Sequence, residues 1–188
     1  MMKPWGHTLG LDISTSITGY TLLSDVGEVI EIGSWDMRNK KQYQTWIDKA
    51  KKIKYELAIL NKRCVINNVF IEPALNMFMV GRSSAHTIAT LTKFNGIVSW
   101  MVYEIFEAEP EYIPAVSARK KCGLTVRRGT KAKEQVMKFL LDTEPAFSVE
   151  YTRTGKIKPH CYDEADSLII AKAGYECLKE RYESLEIS

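Results

Sequence analysis

The sequence has no apolar run approaching the roughly 18 residues that a membrane span needs, so a transmembrane protein is not expected. Residues Met1 to His7 lack the charged-then-apolar pattern of a secretory signal, so secretion is not expected either. Cysteine is scarce: Cys64, Cys122, Cys161 and Cys177 form no Cys-x-x-Cys pair, so they read as reduced, partly buried thiols of a cytoplasmic protein. On spacing alone a zinc site is not expected. Histidine is scarcer still, and His7, His86 and His160 are too dispersed for a histidine metal cage. There is no linker, repeat or low-complexity tract.

With 45% hydrophobic and 26% charged residues, the chain is ordinary globular material, which excludes disordered and fibrous classes. At 188 residues it is expected to be a single domain, residues 1–188. The net charge of +3 is weak, but its distribution is uneven. Arg119, Lys120, Lys121, Arg127, Arg128, Lys131, Lys133 and Lys138 stand within one stretch against a single acid, Glu134. Such density suits phosphate neutralisation or any other anionic partner, and equally a solvated helix face.

The apolar patterning predicts strands at Thr8–Ile13, Thr18–Leu23 and Val29–Trp35, forming an antiparallel meander. A helix follows over Tyr43–Arg63, with Trp46, Ala50, Ile53, Leu57 and Leu60 on its buried face. Val65–Ile71 is a buried strand closed by Pro73, Ser83–Phe106 a long helix, and Tyr112–Val116 a fifth strand. Ser117 would cap a short helix stopped by Gly123, and Lys131–Leu141 would form another. Glu144–Tyr162 reads as a hairpin or a mobile loop, and the last helix as Asp163 to about Tyr182. The order implies an α/β domain with a five-stranded mixed sheet, three strands antiparallel and two parallel, flanked by helices.

Four acids stand out. Asp12 and Glu72 each end an apolar strand, where a bare carboxylate is expensive to bury. Asp163 and Asp166, spaced i, i+3, share one helix face before a strongly apolar stretch. Each has an ordinary reading: a turn cap for Asp12, an ion pair for Glu72, a dipole-favoured acid for Asp163. Together, hard oxygen donors from separate elements suit Mg²⁺ or Mn²⁺, and two such ions about 3.5–4 Å apart could activate water and stabilise the leaving oxygen of a phosphodiester.

Leu9-Gly-Leu-Asp-Ile-Ser-Thr-Ser-Ile-Thr-Gly-Tyr20 resembles the opening motif of RuvC-type Holliday junction resolvases, in the RNase H-like superfamily. Val69-Phe-Ile-Glu-Pro73 resembles their second acidic strand, and Tyr162-Asp-Glu-Ala-Asp-Ser-Leu-Ile-Ile-Ala171 their terminal acidic helix. The resemblance implies an RNase H-like fold and a metal-dependent endonuclease that resolves four-way DNA junctions by paired symmetric nicks. It implies Asp12, Glu72, Asp163 and Asp166 as ligands of two Mg²⁺ or Mn²⁺ ions. Lys120 and Lys133 are the best matches to the family's catalytic basic residues, with Lys121 and Lys131 as close competitors. Phe78, in the loop after Glu72, matches an aromatic that wedges into the junction, and it could equally plug the core. The implied DNA contacts are Phe78, Arg82, Arg119, Lys120, Lys121, Arg127, Arg128, Lys131 and Lys133.

A homodimer is implied, since a near two-fold junction needs two matched nicks, with the Ser83–Phe106 helix as its interface. A small stand-alone resolvase would suit the cytoplasm of a bacterium or of a host cell infected by a phage or virus. The segment Glu144–Tyr162 is longer than its counterpart in bacterial members, which leaves open a related nuclease on other branched DNA or on RNA. A non-catalytic junction-binding protein is a further alternative. The first motif is shared with actin-like phosphotransferases, but the chain lacks their second Gly-rich phosphate loop. His160, three residues before Asp163, reads as loop, or as a metal neighbour or proton carrier.

Overall fold

The structure is a computed structural model that describes residues 6–74, 85–126, 129 and 131–186. Its strands are β1 (His7–Asp12), β2 (Ile17–Leu23), β3 (Val29–Asp36), β4 (Ile66–Ile71) and β5 (Glu111–Tyr112). Its helices are α1 (Trp46–Arg63), α2 (Ala85–Phe106), α3 (Ala115–Lys121), α4 (Ala132–Thr143) and α5 (His160–Glu186). The strands form one mixed sheet in the order β3-β2-β1-β4-β5, with β1, β2 and β3 antiparallel and β4 and β5 parallel additions. This is the α/β arrangement, a five-stranded mixed sheet flanked by helices, that the order of apolar segments implies. None of the described helices is long and apolar enough to cross a membrane.

Side chains alternate across a strand, so each strand sorts its residues between two layers. Leu9 and Leu11 of β1, and Val69 and Ile71 of β4, pack with Ile53, Leu57 and Val98 of α1 and α2. Gly10 of β1 and Phe70 of β4 face α5 instead. The same two-residue period carries Asp12 and Glu72 onto the α5 side. A second cluster joins α3, α4 and α5 through Ala118, Val136, Leu140, Cys161, Ala165 and Leu168.

The helix α5 lies unusually close to the sheet because two glycines form its seat. A Cβ on Gly10 would meet the Ser167 carbonyl oxygen at 2.6 Å and the Ala171 nitrogen at 2.5 Å. One on Gly19, the β2 residue opposite Asp12, would meet the Asp163 carbonyl oxygen at 2.0 Å. The contacts are with backbone, which cannot swing aside. Gly10→Ala and Gly19→Ala are each expected to cost about 2–3 kcal/mol by overpacking. Urea unfolding would register this as a lower midpoint with an unchanged slope.

Some boundaries differ from those the sequence implies. The helix α1 starts at Trp46 because Thr45 and Asp48 form a capping box, and Trp46 is 50% exposed rather than core. The fifth strand is only Glu111–Tyr112, since Pro114 brings no N–H to the ladder and the chain enters α3 at Ala115. Pro114, not Ser117, therefore holds the N-cap position. The helix α5 begins at His160, where the amides of Cys161 and Tyr162 bond the carbonyls of Lys158 and Pro159. Within 144–162 the chain makes a short hairpin: Tyr151 bridges Ile157, and Gly155 takes the turn at φ +75°.

Candidate active site

The ends of β1 and β4 adjoin because the two strands pair in parallel up to Leu11 and Ile71, and the Glu72 amide donates to the Leu11 carbonyl at 3.1 Å. Asp12 and Glu72 thus leave the sheet side by side at the carboxyl ends of parallel strands. The turn after β1 does not consume Asp12. Ser14 closes it, its Oγ accepting from the amides of Ser16 and Ile17, while Thr18 Oγ1 donates to the Ser14 carbonyl. Gly19 admits the α5 backbone beside Asp12, which brings Asp163 and Asp166 over the strand ends.

The four acids sense one another. Asp12 is held well above the ordinary carboxylate range, first by burial, then by the charges of Glu72, Asp166 and Asp163, with Lys133 opposing. Burial and the Asp166 charge push Glu72 up to about 7, against Arg119 and Lys133. Burial pushes Asp163 up to about 6, with Lys133 the largest opposing influence and Arg38 also opposing. Asp166 is 8% exposed and meets both bases: Arg119 Nη2 at 3.6 Å and Lys133 Nζ at 3.7 Å. Lys133 also stands over the Tyr162 ring, 5.8 Å from its centroid. Such a site holds more negative charge than the protein neutralises. Its donors are hard oxygens, the set that suits a divalent cation such as Mg²⁺ or Mn²⁺.

The basic stretch divides in three dimensions. Arg119 and Lys133 reach the acids, whereas Lys120 is exposed beside Val116, Leu124 and Val126. Lys121 pairs with Glu180 at 2.5 Å and Lys131 with Glu134 at 2.9 Å. Phe78, Arg82, Arg127 and Arg128 lie outside the described residues. His160 is 3.7 Å from Glu150 across the hairpin.

Two further residues at the site carry no sequence signal in the motifs. Arg38, just past β3, pairs with Asp36 and lends positive charge to Asp163. Asn95 is buried in α2 and donates to the Glu72 carbonyl at 3.0 Å. Ser99 Oγ in turn donates to the Asn95 carbonyl, and the Tyr112 hydroxyl to Ser99 Oγ, at 2.8 and 2.7 Å. A polar chain thus ties Glu72 to β5. The visible clue was an Asn, with Ser99 four residues on, among the apolar Phe94, Val98 and Val102 of the buried helix face.

No protein-family model matches the chain, and no curated protein matches it in sequence. Solved structures do match. Thermus thermophilus RuvC in complex with a Holliday junction substrate aligns with TM-score 0.62 and 12% identity, over 93% of this chain and 96% of that one. The yeast mitochondrial Holliday junction resolvase Ydc2 aligns with TM-score 0.61 and 15% identity, over 98% and 85%. A further T. thermophilus RuvC structure aligns with TM-score 0.58 and 14% identity, over 93% and 96%.

Proposed function

We propose that the chain, whose fold is that of the RuvC-type Holliday junction resolvases, is one nuclease domain over residues 1–188 and a metal-dependent endonuclease that resolves four-way DNA junctions by paired symmetric nicks. The observation that carries this is the convergence of Asp12, Glu72, Asp163 and Asp166 from β1, β4 and α5, with Arg119 and Lys133 against Asp166. When bound, a pair of Mg²⁺ or Mn²⁺ ions supplies an activated water and charge stabilisation at the leaving oxygen.

The protein's own groups do the rest. Asp12 and Glu72 form a floor fixed by the parallel β1–β4 register, and α5 presents Asp163 and Asp166 from above. Asn95 holds the Glu72 backbone, which limits where its carboxylate reaches. Arg119, largely buried, and Lys133, at the open side, offer donors to a phosphate and to charge that develops on it. Exposed Lys120 and Lys131 and half-buried Lys121, with Phe78, Arg82, Arg127 and Arg128, complete the proposed DNA contacts, which would track phosphates rather than read bases.

A four-way junction requires two active sites in two-fold relation, so the acting species is a homodimer. The outer face of α2 supports it as the interface, since Trp100 and Tyr103 are 64% and 51% exposed and Trp100 lines an apolar hollow shared with Trp46.

The test is cleavage of an end-labelled four-way junction with Mg²⁺ or Mn²⁺, beside a flap, an RNA–DNA hybrid and a structured RNA. Symmetric, religatable nicks with 5′-phosphates are expected on the junction. Preference for another substrate would point to a different branched-DNA or RNA nuclease, and junction affinity without cleavage to a binding protein. Arg119→Ala and Lys133→Ala are each expected to slow single-turnover cleavage by about 10²–10³-fold, the usual effect of losing one charge-stabilising donor. Junction affinity should change far less.

A further inference from the structure

The start of α5 carries a second constellation, built of different donors. A ring nitrogen of His160, Cys161 Sγ and a Glu164 carboxylate oxygen all lie within 4.8 Å of one another. The positions i, i+1 and i+4 of one helix bring them together, with i and i+4 on the same face. From this geometry we propose a zinc site formed by His160, Cys161 and Glu164, separate from the carboxylate site. It stands whether or not the nuclease reading does.

Tetrahedral zinc binds sulfur at about 2.3 Å and nitrogen or oxygen at about 2.0–2.2 Å, which sets its donors roughly 3.3–3.8 Å apart. The three donors lie within 4.8 Å of one another, and rotamer changes that draw them together would complete that spacing. Their chemistry selects the ion. A thiolate and an imidazole beside one carboxylate suit Zn²⁺, whereas Mg²⁺ prefers oxygen alone. The surroundings resemble the supporting contacts of a metal site. Ser34 Oγ donates to Glu164 Oε1 at 2.7 Å, which orients the carboxylate. The Glu150 amide donates to Cys161 Sγ at 3.3 Å, which partly offsets the burial that pushes the thiol up. The Glu150 carboxylate lies 3.7 Å from His160 Nε2 and pairs with Lys158. Cys161 is only 1% exposed, so the ion would close over a site already shielded from water.

Binding forms a Zn–S bond as the Cys161 S–H bond breaks, and the proton passes to solvent. No oxidant or reductant is needed. The ion would fasten β3, through Ser34, and the 150–158 hairpin to the first turn of the helix that carries Asp163 and Asp166.

The test uses the full chain, stripped with chelator and dialysed. Zinc content after addition of Zn²⁺ and gel filtration is expected to be one equivalent by atomic emission. Substituting Co²⁺ is expected to produce a thiolate-to-cobalt charge-transfer absorption in the near ultraviolet, which no carboxylate site can give. Cys161→Ser should abolish that absorption, and His160→Ala should weaken zinc binding by at least tenfold. Asp12→Asn should leave both signals intact, which separates this site from the acid quartet. The proposal is overturned if no charge-transfer band forms, or if it persists in Cys161→Ser. If Cys161→Ser does not fold, unchanged zinc affinity in His160→Ala overturns it equally, since that side chain lies partly exposed on the first helical turn.

Discussion

Asp12→Asn is expected to lower single-turnover junction cleavage by at least about 10³-fold, the loss of some 4 kcal/mol of barrier stabilisation. The same change is expected to raise the melting temperature of the metal-free protein. The two effects have one cause. Asp12 is surrounded by the charges of Glu72, Asp163 and Asp166, and burial denies it the water that would screen them. That repulsion is what a divalent cation would exploit, and without the cation it is a strain on the fold. The amide keeps the shape and removes the charge. Cleavage assays and calorimetry on the same preparation check both limbs. Activity within tenfold of the unchanged protein would remove Asp12 from the chemistry, and a lower melting temperature would make it a structural acid.

The second large effect is the pH dependence of metal-free stability. Glu72 titrates near 7 in the folded chain against an ordinary 4.5, and Asp163 near 6 against 3.8. Between the ordinary and the raised values the folded state binds more protons than the unfolded state. Stability therefore falls as pH climbs from about 4 to about 7, and the full penalty applies above that. Below this window the opposite sign takes over, because Glu31, Asp36 and Glu150 are held low, chiefly by Arg63, Arg38 and Lys158. Their stabilisation is lost in acid. The metal-free chain should be most stable near pH 5 and lose on the order of 2–4 kcal/mol by pH 8. For a chain of this length that is about 5–10 °C. Millimolar Mg²⁺ should recover most of it at pH 8 and little at pH 5. A flat or rising melting temperature between pH 5 and pH 8 without metal would contradict the clustering of the acids.

The sheet and the acid quartet were legible because both are written in short-range patterns. Apolar runs of six or seven residues define the strands, and a carboxylate at the end of such a run is conspicuous. What was harder to read depends on rotation and on backbone hydrogen bonds. The short helix α3 begins at Ala115 rather than after Ser117, and it is Arg119 that comes to lie against Asp166, with Lys120 exposed. Arg38 and Asn95 act on the site through strands and helices distant in sequence, so spacing cannot reveal them. The His160–Cys161–Glu164 group escaped for a different reason. A search for paired cysteines passes over a donor trio that needs a helix to begin three residues earlier than Asp163 suggests. The fate of Phe78, Arg82, Arg127 and Arg128 lies outside the described residues.

Gly10 and Gly19 have an effect beyond stability. With backbone against backbone at two points, α5 has a single stop along the sheet, like a bolt seated in its keeper. A slip of one residue would turn Asp163 and Asp166 by about 100° away from Asp12 and Glu72. The alignment of the four acids thus depends on two hydrogen atoms standing where methyl groups would otherwise be.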